Sequence, residues 1–218
     1  MGKVPSPPSL TVLAGRVLWS AGSDFALAGA FLVTWISPYA LGERSVHRFT
    51  FMMLIEFLVV HSTGFLGAIG DRQAPLRARA LQYTGLMALY ILFASAFSVT
   101  YGSAWPLLAF LMSFLSKLPN TVLRPPSEDG QFTVMSQWAA MTVLYLGGVF
   151  LTVIAPVPAL GITPEVIASQ NFGVGGIWPE EPYRVMAFGV VYFGGLGLLS
   201  VFTEVVGFAR GVKRARQP

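Results

Sequence analysis

Cysteine is absent from the 218 residues. That excludes disulfides, thiolate metal sites and cysteine nucleophiles, and leaves the redox compartment open. Charge is scarce: 11% of residues are Asp, Glu, Lys or Arg, against about 25% in a soluble domain. Histidine occurs twice, as His47 and His61. There is no G-x-S-x-G, no H-E-x-x-H and no P-loop, so the chain is not expected to be an enzyme. GVGG at Gly173 to Gly176 has no following helix and reads as a turn rather than a phosphate cradle. No internal repeat marks the inverted-repeat architecture of many transporters.

What is abundant is apolar surface. Hydrophobic residues make up 54% of the chain, more than a soluble domain of this size can bury, so the expected class is a polytopic all-α membrane protein. The N-terminus, MGKVPSPPSL, lacks the pattern of a signal peptide. Residues 1–22 are expected to hold an interfacial amphipathic helix, Leu10 to Ser20, capped by Ser9. Residues 23–209 are expected to form a bundle of about six spans, at 24–41, 49–70, 81–100, 104–119, 134–155 and 183–209. Ser23 and Asp24 are expected to cap the first span. In the longest loop, Thr163 followed by Pro164 and Glu165 predicts a short helix, Pro164 to Ser169. Residues 210–218 form a basic tail.

Six spans put both termini on one side. That side then carries Lys3, Arg16, Arg72, Arg77, Arg79, Lys117, Arg124, Arg210, Lys213, Arg214 and Arg216, and the other only Arg44, Arg48 and Arg184. Eleven basic residues against three predict cytoplasmic termini in a bacterial inner membrane. The net charge of +4 is therefore assigned to topology and lipid headgroups, with no nucleic-acid partner expected.

The stretch RFTFMMLIEFLVVHSTGFLGAIG, Arg48 to Gly70, places ionisable groups deepest. Glu56 lies about 12 Å beyond Arg48, and His61 about 7 or 8 Å deeper. A charged, unpaired carboxylate there costs at least a few kcal/mol, so Glu56 is expected to be neutral, paired, or turned to protein or water. Five residues rotate a helix by about 140°, so Glu56 and His61 do not share a face. Glu56 aligns with Met52, Met53 and Thr63. His61 aligns with Phe57, Gly64, Phe65 and Ala68, and the Gly64–Ala68 pair predicts a close helix contact with a hydrogen bond to His61 across it. Gly147, Gly148, Gly194 and Gly197 are expected to serve helix packing. Tyr145, Gln137, Ser95 and Ser98 are available as cross-helix partners.

No cofactor and no metal are predicted. His47 lies about 21 Å from His61 along a helix, which excludes bis-histidine haem within the chain. A tetrapyrrole ligated by His61 alone stays open. Zinc and di-iron sites lack ligands.

LIEFLVVHSTGFLGAI is similar to the F-x-x-x-H-x-G-G-F span of a bacterial family of uncharacterised multi-pass membrane proteins. FLVTWISPYALG resembles that family's aromatic-Trp-x-Glu-Asn span, and WAAMTVLYLGGVFLTVI its later Gly-Gly-Phe segment. Ser37 and Pro38 stand where the family has Glu-Asn, and Ser62–Thr63 departs from its pattern. The resemblance, over 24–70 and 131–160, implies a fold type and no activity. Short loops, small residues and missing motifs favour a non-catalytic accessory subunit of a larger membrane complex. The alternatives are a proton, ion or solute pathway through Glu56 and, behind it, haem or chlorophyll binding by His61.

Overall fold

The computed structural model describes residues 9–69, 74–100, 104–116, 128–173 and 175–215. Arg72, Lys117, Arg124 and the termini, used above in the charge count, lie outside them. The described residues are all helical or loop: α1 Leu10–Ile36, α2 Ser45–Ile69, α3 Leu76–Thr100, α4 Trp105–Ser116, α5 Glu128–Ile154, α6 Pro164–Gln170, α7 Ile177–Glu180 and α8 Pro182–Ala215. Five of them, α1, α2, α3, α5 and α8, are long and apolar enough to cross a membrane, and the chain is a multi-pass membrane protein. At ~1.5 Å per residue, the twelve residues of α4 reach about 18 Å, short of a hydrocarbon layer of about 30 Å. It runs antiparallel to α3, with Tyr90 stacked on Phe110 at 5.7 Å and the Leu107 N–H donating to Ser98 Oγ at 3.2 Å.

The first helix departs from expectation. α1 is continuous from Leu10, and its N-cap is Ser9, whose hydroxyl accepts the Val12 N–H at 3.4 Å. Ser23 and Asp24 cap nothing; they lie in mid-helix. Neither Gly22 nor the polar pair is a breaker once α8 offers a long surface to pack against. The pairing is antiparallel: Phe31 lies over Gly189, and Phe25 over Gly197. α8 itself continues to Ala215, so most of the expected tail is helical.

α2 is central. It touches α1, α3, α4, α5 and α8, and its residues enter both apolar clusters. One cluster joins Met53 and Val60 to Phe31, Tyr145, Phe188 and Tyr192 of α1, α5 and α8. The other joins Leu58 and Leu66 to Tyr83, Tyr90 and Phe110 of α3 and α4. Among the described residues the α3–α4 hairpin packs chiefly on α2, while α5 packs on α2 and α8.

The loop between α5 and α8 folds over the α1–α2 turn. The expected short helix is α6, with Thr163 at its cap and Pro164 first. The Gly161 N–H donates to Trp35 O at 3.1 Å, and Trp35 Nε1 to Pro158 O at 2.9 Å. A Cβ on Gly161 would collide with the Ile36 carbonyl, so only glycine fits. Gln170, 2% exposed, clasps the turn: its Oε1 accepts the His47 N–H at 3.1 Å and its Nε2 donates to Glu43 O at 3.0 Å. Arg184, at the start of α8, forms an ion pair with Glu181. Its Nη1 donates to Thr152 O at 2.6 Å and to Val153 O and Ala155 O at 3.2 Å. It thereby satisfies carbonyls that the end of α5 leaves open.

Candidate functional site

Four polar side chains from four helices lie at one level of the bundle. Counting residues from the turn end, Asp24, Glu56, Tyr145 and Tyr192 lie about 13 to 18 Å in, near the middle of a hydrocarbon layer of about 30 Å. Tyr192 is 0% exposed, and its hydroxyl donates to Glu56 Oε1 at 2.7 Å. Glu56, Asp24 and Tyr145 all lie within electrostatic range of Tyr192. The Tyr145 hydroxyl donates to the Met53 carbonyl at 2.7 Å, and its ring stands edge-on to Tyr192 at 5.4 Å. Glu56 is therefore turned inward, to α8. Glu56 is half-buried, and its carboxyl oxygen can accept the phenol O–H whether the acid is neutral or ionised.

His61 goes the other way. Its imidazole is exposed, between Phe57 at 5.1 Å and Phe65 at 5.6 Å. No hydrogen bond reaches it among the described residues. The expected bond across the Gly64 contact does not form, because that contact is filled by an indole. Trp138 of α5 sits on Gly64, where a Cβ would overlap the ring, and its Nε1 donates to Val60 O at 3.0 Å. Met53, Phe57, Val60 and Gly64 face α5, whereas Leu58 and Leu66 face α3 and α4. His61 falls on the strip between these faces.

Other expected positions divide. Gly148 receives the Phe188 ring, with a Cβ position 2.7 Å from it, and Gly197 receives Phe25 at 2.8 Å. Gly147 and Gly194 face open space and receive no close contact in this chain. The side chain of Ala68 lies outside the described residues. His47 stacks on Phe51 and Phe172 at 4.7 and 5.3 Å near the turn. Gln137 is exposed.

Two residues escaped the sequence reading. Asp24 was assigned to a cap because a helix start was expected there. Tyr192 carried a readable signal: a phenol deep in an apolar helix needs a hydrogen-bond partner. Outside the spans, Glu165 is held below the usual carboxylate range by the Thr163 hydroxyl and its own backbone N–H, and Glu181 chiefly by the Arg184 hydrogen bond. No group of three or more His, Cys, Asp or Glu poised for a metal occurs among the described residues.

No protein-family model matches the chain, and no curated protein or solved structure is detectably similar to it.

Proposed function

We propose that the chain is an accessory subunit of a larger membrane complex, docking along the His61 strip of α2. The observation that carries this reading is the exposed imidazole of His61 within a helix long and apolar enough to cross a membrane. A polar ring there has nothing to bond to in lipid tails, and polar groups at that depth face protein or a cavity as a rule. The reading extends to six passes, with α4 taken as part of a further span that returns antiparallel to α3. It also takes the basic end as cytoplasmic in a bacterial inner membrane, by the eleven-to-three arginine and lysine distribution.

The test uses the cysteine-free background. A single cysteine in place of Phe65, cross-linked in native membranes, is expected to yield one defined hetero-adduct, and the chain to migrate in a complex under mild detergent. Migration as a lone monomer in both experiments overturns the reading.

The Tyr192–Glu56 hydrogen bond, with Asp24 nearby, favours a second reading, a proton or ion pathway across the bundle centre. Flux through proteoliposomes that is absent, or unchanged in Glu56→Gln, overturns it.

A further inference from the structure

We infer that the species exchanged at the Glu56–Tyr192 pair is a proton, and that it arrives from the basic end alone, along the seam between α1 and α8. The inference rests on the pathway reading and adds to it the species carried and the side of entry.

The seam is polar on one side of the pair and apolar on the other. α1 and α8 pack along most of their length, with Phe25 over Gly197 and Phe31 over Gly189. Toward the basic end, α1 carries the four-residue series Asp24, Ser20, Arg16, and α8 carries Tyr192, Leu196, Ser200, Glu204. Residues four apart line one face of a helix. Asp24, Ser20, Ser200 and Glu204 are half-buried, and Asp24 lies within electrostatic range of Tyr192. Counted from the turn end, Glu56 and Tyr192 lie about 15 to 17 Å in, Asp24 about 18, Ser20 about 24, Ser200 about 27 and Glu204 about 33 Å. The steps are about 3 to 6 Å along the axis, and a bridging water spans such a gap between polar groups. Glu204 and Arg16 stand at the edge of a hydrocarbon layer of about 30 Å.

Toward the turn the same seam is closed. Phe31, Phe188 and Met53 are each 0% exposed, and they fill the levels from about 8 to 12 Å. They interlock: Phe31 covers Gly189, Phe188 covers Gly148, and Tyr145 stands edge-on to Phe188 at 4.8 Å. The buried hydroxyls of Thr34 and Thr50 lie about 3 and 8 Å in, at or beyond the turn-side edge of this plug. The Thr50 hydroxyl is committed to the Val46 carbonyl at 2.9 Å. A close-packed apolar layer offers no partner to a proton or to water.

The donor set favours a proton over a metal cation. A calcium ion takes about six or more oxygen ligands. Here the Tyr145 hydroxyl is spent on the Met53 carbonyl, and one Glu56 oxygen already accepts the Tyr192 O–H. No third acid joins Glu56 and Asp24 in a metal-sized group among the described residues. The step is the transfer of one proton. The Glu56 carboxylate takes it and becomes a carboxylic acid, while Tyr192 keeps its own hydrogen.

The test places the full-length chain in liposomes sorted by orientation through a terminal affinity tag. Infrared difference spectra follow the carbonyl band of protonated Glu56, assigned by its loss in Glu56→Gln. A pH step at the basic end is expected to move the band directly. The same step at the turn end is expected to move it only as the gradient collapses. Ser20→Val with Ser200→Val is expected to slow the response about tenfold. Ser20→Thr with Ser200→Thr has the same shape but keeps the hydroxyls, and is expected to respond like the parent, as is Thr34→Val. A band that follows the turn-end pH, or valine variants as fast as the parent, overturn the inference. So does a band that shifts with added sodium or calcium at fixed pH. Flux with entry from the turn end overturns the inference and leaves the pathway reading standing. A band that answers to the basic end with no flux across the membrane upholds the inference and overturns the pathway reading. A Glu56 band that answers to neither side overturns both.

Discussion

Trp138 and Gly64 fit as knob and notch: the indole lies where any Cβ on residue 64 would be, and its N–H donates to the carbonyl of Val60, one turn back. This contact ties α5 to α2 near the end opposite the turn, while Tyr145 ties the same two helices through Met53 at mid-depth.

Gly64→Ala is expected to destabilise the bundle by about 1–3 kcal/mol, the usual cost of overpacking. Gly148→Ala, which would press on Phe188, falls in the same class. Gly147→Ala and Gly194→Ala face open space and are expected to stay within about 0.5 kcal/mol of the parent. Equilibrium unfolding by denaturing detergent separates the two pairs. Equal losses for all four would refute the assignment.

Tyr192→Phe removes the donor to Glu56. Cross-helix hydrogen bonds in membranes average about 0.6 kcal/mol and reach about 1.7, and the loss is expected in that range. Glu56→Gln keeps an acceptor and is expected to lose less. A double-mutant cycle with Tyr192→Phe and Glu56→Leu should give a coupling of about 0.5 kcal/mol or more; additivity would count against the bond.

Gln170→Ala removes the hydrogen bonds from the His47 N–H to Gln170 Oε1 and from Gln170 Nε2 to the Glu43 carbonyl. A typical intramolecular hydrogen bond contributes about 0.5–1.5 kcal/mol, so a loss of about 2 kcal/mol is expected for the two, with faster amide exchange at His47. Gln170→Glu keeps the acceptor and gives up the donor, and should fall between.

The Arg184–Glu181 pair predicts a pH dependence at the loop end. Glu181 is held below its ordinary value of 4.5, so the folded state favours its ionised form. The stabilisation is fully present above about pH 4.5 and is lost as pH falls through the lowered folded value. Amide protection at the end of α5 and the start of α8, corrected for the intrinsic exchange rate, should therefore fall below pH 4.5. Glu181→Gln should remove that pH response, and a response that persists in the variant would locate its origin elsewhere.

The helical membrane class was legible because an apolar run of span length has no other stable use in a chain this poor in charge. The short α6 was equally legible, since Thr163, Pro164 and Glu165 specify a helix start locally. Asp24 was misread for the same local logic: Ser-Asp before an apolar run resembles a cap, and only the long antiparallel face of α8 carries α1 through it. The directions of Glu56 and His61 around α2 followed from helical geometry. Their neighbours did not, because which helix covers which face is a tertiary fact. Gly64 marked a close contact, but that a tryptophan rather than a small residue fills it depends on the register of α5.

α8 has 34 residues, about 51 Å of helix, and its run between Arg184 and Glu204 matches the bilayer core at about 30 Å. The remainder, braced along α1, stands off as a stiff post rather than a loose tether. Positions 213 and 214 lie nine and ten residues beyond Glu204 on the same continuous helix, about 14 to 15 Å along its axis, so whatever engages that end is held at a set height, and the two helices act as a ruler between the membrane and its contact.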